Sequence, residues 1–457
     1  MSFYIMETKM FENFYGSPEM KDIFEEKNYV QSMLLFEATL AEVQAELGII
    51  PKEAADEIRK KSSTKYVKIE RVAEINNKTK LFTVSMIRAY KEACEGNAGE
   101  YIHYGATSQD LIETALACRV KKAMDLTEKK LENLMGTLLE VAEEHRDTIM
   151  AARTHGQQAI PSTFGFLAAV YASMIHSHLE RLKEARKRIL VGSLVGAVGS
   201  SASFCAIATK DKVLQMQKMV MDRLGLGTPL IDVQPDNARW AELLNLLGLI
   251  AQTFEKVGED LYTLQRTEIA EIAEPFDTEN QICSSTMPQK RNPIFTEMMT
   301  PFAKKVISNA SAMMSAHHRD FRHFTPFYMY DLLIPESFLL VDSILNAAEI
   351  VFAGIQVNKE NMKKNLELSK GLLTSEALLF ELSKRTGKKE KGLSIVHRLA
   401  MYSFENNVEF VETCANDEEI KKYFTEEEVR KILAPEEYIG IAPLLVDKVI
   451  KKYREEK

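Results

Sequence analysis

The chain has 457 residues, of which 46% are hydrophobic, and a formal net charge of -8. A chain of this length and apolar content can bury a large core, which excludes a largely disordered protein. The acidic balance argues against a nucleic-acid-binding surface, because such surfaces are usually basic. We therefore expect a small-molecule partner and no nucleic acid.

The five cysteines are odd in number, far apart and without a CxxC pair; they are Cys94, Cys118, Cys205, Cys283 and Cys414. This spacing favours neither a disulfide framework nor a zinc site, so we predict no metal. There is no run of about 18 uncharged apolar residues and no charged-then-apolar leader at the start of the chain. We expect a cytoplasmic protein that does not contact a membrane.

Amphipathic helices are the main predicted elements. The first clear one lies in "MLLFEATLAEVQAELGIIP", where apolar residues recur at three-and-four spacing until Gly48 and Pro51. The stretch 110–147 has no proline and keeps its apolar residues on one stripe, which predicts a helix about 55 Å long at about 1.5 Å per residue. Similar long segments run over 162–189, 239–269, 295–317 and 332–353.

These five long helices predict an all-α protein. An apolar stripe of such length cannot be covered by a small domain, so the helices must lie beside one another. We expect three helical domains around a central bundle of five long helices that assembles into a tetrameric helical core. The predicted boundaries are an N-terminal helical domain over 1–98, the bundle over 99–353 and a C-terminal helical domain over 354–457.

Four polar, glycine-bearing stretches lie at or near the joints between the long helices. They read "HYGATSQD" (103–110), "ARTHGQQAIPSTFG" (152–165), "GSLVGAVGSSASF" (192–204) and "QICSSTMPQKRNP" (281–293). Loops held on a rigid scaffold are where chemistry usually occurs. The glycines of the third stretch form no dinucleotide fingerprint, because no clear strand precedes them, and we interpret them as tight helix-to-helix turns.

The stretch "SSTMPQKRNP" resembles the loop shared by the fumarase/aspartase superfamily, whose usual form is G-S-S-x-M-P-x-K-x-N-P. The other three stretches are similar to further shared regions of that superfamily and occur in the same order. The resemblance extends over the whole chain. Within the superfamily, the most similar branches are those of adenylosuccinate lyase and 3-carboxy-cis,cis-muconate cycloisomerase.

The resemblance implies elimination of a leaving group β to a carboxylate, usually with release of fumarate and without a cofactor. It implies Ser284 as the base, which requires that Lys290 and backbone N–H groups stabilise its alkoxide. It also implies His155 as the acid, since a histidine protonates a departing nitrogen at neutral pH. The family orients this histidine with a glutamate, which corresponds to Glu297.

The resemblance further implies binding of the substrate carboxylates by residues at the joints. Thr107 and Ser108 lie at a predicted helix start, where free N–H groups favour anions. Considered apart from the other motifs, these hydroxyls are most simply interpreted as helix caps. The same interpretation applies to the Asn292-Pro293 pair. The residues expected to bind substrate are Thr107, Ser108, Gln109, Thr154, Ser285, Met287, Asn292, Arg319 and Tyr15.

Several positions depart from the adenylosuccinate lyase pattern. The loop's usual glycine is Cys283, which should stiffen the hinge. Phe14 and Ser17 stand where that branch has arginines, and Leu81-Phe82 replaces its His-Asp pair. The stretch "HRDFRHFTPFYMYD" is longer and more aromatic than its counterpart. We expect the dicarboxylate half of the site to be kept and the nucleotide half to be rebuilt.

Three functional hypotheses follow. The leading one is a lyase that splits an N-substituted aspartate into fumarate and an amine, and the alternative is a cycloisomerase that lactonises a carboxymuconate. A non-catalytic helical assembly protein is disfavoured, because a degenerate relative should have lost some of the polar residues named above. The resemblance also implies a homotetramer in which each active site is built from three subunits.

Overall fold

The computed structural model describes residues 4–282 and 284–455. The fold is all-α, as predicted, with 69% of the chain in helices and 4% in strands. In chain order the helices are α1 (Pro18–Phe24), α2 (Glu26–Glu46), α3 (Lys52–Lys61), α4 (Ile69–Thr79), α5 (Phe82–Ala93), α6 (Ser108–Glu144), α7 (Phe164–Ile189), α8 (Ala202–Ile207), α9 (Lys210–Leu224), α10 (Ala238–Leu264), α11 (Ile294–Met314), α12 (Thr325–Ala353), α13 (Lys359–Glu367), α14 (Ser375–Thr386), α15 (Lys389–Asn406), α16 (Phe410–Asn416), α17 (Glu426–Ile432) and α18 (Ala442–Glu455). The strands are β1 (Ile149–Thr154), β2 (Gln157–Thr163), β3 (Ile272–Ala273) and β4 (Gln356–Val357).

The five long helices predicted from periodicity are all present, as α6, α7, α10, α11 and α12. Helix α6 has 37 residues, so its axis is about 55 Å long. Helix α12 begins at Thr325 instead of near residue 332. Pro326 occupies its first turn, where a proline has no intrahelical N–H bond to lose, and the aromatic segment therefore forms the start of this helix.

The second polar joint is a β-hairpin, which the sequence analysis did not predict. Strands β1 and β2 pair antiparallel, with Thr154 opposite Gln157. His155 and Gly156, the two turn residues, have φ angles of 54° and 75°. Positive φ at both central residues defines the tight turn whose twist matches that of a hairpin, and glycine adopts it without strain. This turn places His155 at the tip.

The chain folds into two compact units. The first comprises the residues up to Leu131 together with His178–Glu255 and Pro301–Asn346. The second comprises Glu132–Ser177, Lys256–Thr300 and the residues from Ala347 onward. Each of the five long helices has residues in both units, so the boundary runs across helices and not between them. The three-domain division made from the sequence stays a prediction.

In the first unit, a buried polar cluster joins α6 to α12. Lys130 Nζ on α6 forms an ion pair with Asp342 on α12 and donates to Asn346 Oδ1 at 2.8 Å. The Asp342 side chain has no exposed area. Lys130 Nζ also donates to Ser17 Oγ at 3.1 Å. Ser17 accepts the N–H of Met20 and so caps α1.

In the second unit, Tyr171 joins three of the long helices. This tyrosine of α7 is 2% exposed and donates its hydroxyl to Asp260 Oδ2 on α10 at 2.7 Å. Its ring lies 6.1 Å from that of Phe352 on α12.

A separate apolar cluster between α14, α15 and α16 contains Leu378, Leu382, Ile395, Leu399, Phe410 and Cys414. Among residues 4–282 and 284–455, no helix is both long and apolar enough to cross a membrane.

Candidate active site

The loop of residues 284–293 lies between β3 and α11 in the second unit. Ser284 is half-buried, and its Oγ accepts the backbone N–H of Met287 at 3.0 Å and that of Thr286 at 3.5 Å. The backbone N–H of Lys290 donates to the Met287 carbonyl at 3.1 Å, which forms a further turn on the C-terminal side of the serine. N–H groups aimed at a hydroxyl oxygen stabilise a serine turn, and the same groups would stabilise an alkoxide.

The other residues predicted on this loop are mostly exposed. Ser285, Met287 and Lys290 are all exposed to solvent, and Asn292 is half-buried. Asn292 lines a cleft of about 650 Å³ together with Arg291, whose guanidinium lies 4.7 Å from the centre of the Phe276 ring. The loop thus presents the Ser285 hydroxyl and the Lys290 ammonium group to solvent, as a site for an anionic substrate requires. The position of Cys283 lies outside the described residues.

The predicted acid lies on the hairpin of the same unit. Thr154 and His155 are both exposed. Glu297, in the first turn of α11, is also exposed, and its N–H donates to the Pro293 carbonyl at 2.9 Å. In the part of the chain that the structure describes, no hydrogen bond or ion pair joins His155 to Glu297. The orientation of this histidine by Glu297 stays a prediction.

A buried ion pair fixes the hairpin next to these exposed residues. Arg153 donates from Nη1 to Glu271 Oε2 at 2.9 Å and from Nη2 to Glu271 Oε1 at 2.6 Å. The Glu271 side chain has no exposed area and accepts a further bond from Asn365 Nδ2 at 2.8 Å. Neither residue of this pair was predicted from the sequence. Its only local signal was the position of Arg153 directly before the predicted Thr154 and His155.

In the first unit, Asp110 organises the "HYGATSQD" stretch. Its buried carboxylate accepts the Val195 and Gly196 N–H groups, each at 3.0 Å, and the Thr107 N–H at 3.1 Å. The Ser193 hydroxyl also donates to it, at 3.2 Å. Burial raises the pKa of this carboxyl, although the backbone donors act to lower it. Asp110 therefore joins the first and third polar joints around the start of α6.

The predicted carboxylate-binding residues at the start of α6 have different surroundings. Ser108 Oγ accepts from Thr83 Oγ1 at 2.9 Å. Gln109 is buried and donates to Glu113 Oε1 at 3.3 Å. Glu113 is in turn ion-paired with Arg239. Thr107 is half-buried. Buried contacts therefore fix Gln109, whereas Thr107 and Ser108 are partly accessible.

His103 is a further candidate that the sequence analysis did not single out. The ring Nδ1 of His103 lies 2.6 Å from Glu37 Oε1, and the backbone N–H of His103 donates to Glu37 Oε2 at 2.9 Å. Burial opposes protonation of this ring, but the Glu37 carboxylate outweighs burial, and the pKa of His103 is raised. His103 carries a left-handed φ of 62°. Its position at the head of "HYGATSQD" was the available signal.

Two predicted residues of the first unit, Arg319 and Tyr15, have no described hydrogen bond to the polar joints. Arg319 is exposed, and its backbone N–H donates to His323 Nδ1 at 2.9 Å. The neighbouring Arg322 makes the contact to the third joint instead, through the Gly196 carbonyl at 2.6 Å. Tyr15 is half-buried and its ring lies 5.4 Å from that of Phe302. These two residues stay predictions as substrate contacts.

The predicted residues divide between the two units. Tyr15, Thr107, Ser108, Gln109 and Arg319 belong to the first unit. The second unit contains Thr154, His155, Ser284, Ser285, Met287, Lys290, Asn292 and Glu297. The groups predicted to act as base and acid therefore belong to one unit. The hairpin is ion-paired with Glu271 through Arg153, and the start of α11, the helix after the loop, is hydrogen-bonded to Glu274.

Comparison with known proteins identifies the class. A family model described as "Lyase" matches residues 12–308, and one described as "Adenylosuccinate lyase C-terminus" matches residues 371–449. The long helices and the polar loops between them agree with these matches, which identify a helical lyase. The chain belongs to the lyase family of the fumarase/aspartase superfamily. The superfamily resemblance seen in the sequence is thereby confirmed.

The similar proteins are named for different reactions. Adenylosuccinate lyase of Methanocaldococcus jannaschii is 46% identical over 97% of this chain and 95% of that protein. N-acetyl-S-(2-succino)cysteine lyase of Dickeya dadantii is 34% identical over 99% of this chain and 98% of that protein. The structure of 3-carboxy-cis,cis-muconate lactonizing enzyme from Pseudomonas putida has a TM-score of 0.90 at 27% identity, covering 98% of this chain and 99% of that one.

Proposed function

We propose that this lyase releases fumarate from an N-substituted aspartate by β-elimination, with Ser284 as the base and His155 as the acid. The observation that carries the proposal is the geometry of Ser284. Its hydroxyl oxygen accepts backbone N–H groups of Met287 and Thr286 on a loop that also presents Lys290. Such donors favour the alkoxide form that a serine base needs.

The proposed reaction moves two protons: one leaves the carbon next to the carbon that carries the nitrogen, and one is added to the departing nitrogen. Ser284 removes the proton from the carbon next to one carboxylate, and Lys290 and Asn292 stabilise the negative charge that develops on that carboxylate. The electron pair then forms the double bond of fumarate while the carbon–nitrogen bond breaks. His155 donates a proton to the departing nitrogen. Thr107, Ser108 and Thr154 bind carboxylate oxygens of the same substrate.

The relatives support the nitrogen leaving group over the alternatives. The adenylosuccinate lyase relative is 46% identical, whereas the relative named for N-acetyl-S-(2-succino)cysteine is 34% identical. Both names specify a succinate unit attached through carbon, which has two free carboxylates and agrees with a preserved dicarboxylate half. The muconate lactonizing structure is 27% identical, so the cycloisomerase hypothesis has weaker support.

We also propose that the protein is a homotetramer whose active sites combine residues of several subunits. Large apolar side chains are exposed on the long helices, among them Met314 at 68% and Leu332 at 70%. A second copy of the chain would cover such surfaces. His155 and Glu297 are both exposed, as they must be to meet residues of another subunit. We expect light scattering at micromolar concentration to give a tetrameric mass, and a monomeric mass would contradict this assembly.

Dicarboxylate binding tests the preserved half of the site. Fumarate or succinate should raise the midpoint of thermal unfolding, and ligand at about a hundred times its dissociation constant should add roughly 2.7 kcal/mol. Lys290→Ala should lose this protection. Adenosine monophosphate should protect little, because Phe14 and Ser17 offer no cationic group to a phosphate. If no dicarboxylate protects the parent protein, the proposed site is wrong.

A further inference from the structure

We propose that Glu274 is a positioning residue for the elimination, because its carboxylate joins the two ends of the loop that carries Ser284 and Lys290. The role in catalysis rests on the function proposed above. The contacts of Glu274 do not depend on that function. Its side chain was not singled out by any sequence motif.

The Glu274 carboxylate accepts hydrogen bonds from the free N–H groups at the start of α11. Its Oε1 accepts the Thr296 N–H and the Thr296 hydroxyl, each at 2.7 Å, and its Oε2 accepts the Phe295 N–H at 3.1 Å. Thr296 is 1% exposed. A carboxylate is favoured there because the first N–H groups of a helix have no intrahelical partner and carry partial positive charge. Glu274 thus supplies from 22 residues away the cap that a local side chain usually provides.

The segment from which Glu274 projects is itself fixed. The backbone N–H of Glu274 donates to Oε1 of Gln265, the residue directly after α10, at 2.8 Å. The preceding residues Ile272 and Ala273 form β3, which pairs with β4. Glu271 is held by the buried ion pair with Arg153. The carboxylate therefore anchors α11 to a segment that is itself held by strand pairing and by a buried ion pair.

This arrangement holds together the ends of an otherwise exposed loop. Residues 285–291 are all exposed and 277–280 are too, so the described part of this loop buries little surface, although Arg291 does lie over the Phe276 ring. Without the carboxylate, the first turn of α11 and the segment before the loop would separate more easily. Ser284, Lys290 and Asn292 would then sample more positions, and a displacement of about 1 Å at reacting groups can cost about a hundredfold in rate.

Glu274→Gln tests the proposal, since it keeps the size of the side chain but turns an NH2 group toward N–H donors. We expect kcat to fall by about tenfold to a hundredfold, with little change in KM. Both constants are measured well below the unfolding temperature of the variant. Hydrogen exchange of the backbone amides over 284–293 should become faster. Glu279→Gln is the matched control, because it removes the same charge from an exposed position in this loop.

Thr296→Val provides a second variant that keeps the helix start but removes the hydroxyl donor. It should change kcat and amide exchange in the same direction as Glu274→Gln, by a smaller factor. Unchanged amide exchange in both variants, or a kcat equal to that of Glu279→Gln, would overturn the proposal. If Ser284→Ala is fully active, the proposed function fails, and the exchange measurement still decides whether Glu274 holds the loop.

Discussion

Replacing Ser284 with alanine should lower turnover by about a hundredfold or more, as expected for loss of a general base. The variant loses the oxygen that accepts the Met287 and Thr286 N–H groups. The helical fold should be unchanged, because the serine lies on a loop and fills no core position. Circular dichroism and steady-state kinetics on the same preparation measure both effects.

The neighbouring hydroxyl of Thr286 gives a control for this change. Thr286 is exposed on the same loop, and Thr286→Ala removes a hydroxyl of similar size without touching the proposed base. It should keep turnover near that of the parent protein. If Ser284→Ala also keeps a near-normal rate, another group removes the proton, and Ser284 only forms a turn.

The second large effect is expected on stability, from Glu271→Ala. The change leaves the guanidinium of Arg153, which is 19% exposed, without its bidentate partner and removes an acceptor of Asn365. Breaking a buried ion pair by removing one partner typically costs about 3 to 5 kcal/mol, because the remaining charge is desolvated and unpaired. Urea unfolding followed by circular dichroism at fixed protein concentration measures this loss.

Glu268→Ala is the matched control for the stability measurement. Glu268 carries the same charge three residues earlier and is exposed, so its removal should change the free energy of unfolding by less than about 0.5 kcal/mol. A loss below about 1 kcal/mol in Glu271→Ala would show that the pair behaves as an exposed salt bridge. The hairpin would then be held by other contacts.

The sequence predicted the long helices well because helical periodicity is a local property. The apolar stripe of α6 can be followed residue by residue without knowing what packs against it. The hairpin was not predicted because its strands show little alternation and Pro161 lies within β2, which weakens the strand pattern. The deciding feature was the turn at His155-Gly156, and its positive φ values become visible only in the structure.

The candidate site was predicted unevenly for a related reason. Ser284, Lys290 and His155 lie in recognisable motifs, so their residue types and spacing were enough to select them. Glu271 has its partner Arg153 118 residues away, and Asp110 binds Val195 85 residues away. Such contacts depend on how distant segments pack, which local spacing does not encode. The sequence therefore indicated the reactive groups of the motifs and missed the buried carboxylates that hold these segments in place.

The most direct test of the central claim is release of fumarate by the purified protein from N-substituted aspartates, with adenylosuccinate as one of them, followed by ultraviolet absorbance. N-acetyl-S-(2-succino)cysteine and carboxymuconate serve as comparison substrates. We predict that fumarate accumulates from at least one N-substituted aspartate and that Ser284→Ala abolishes nearly all of it. Absence of fumarate from every N-substituted aspartate, together with consumption of carboxymuconate, would contradict the proposed function and establish the cycloisomerase alternative.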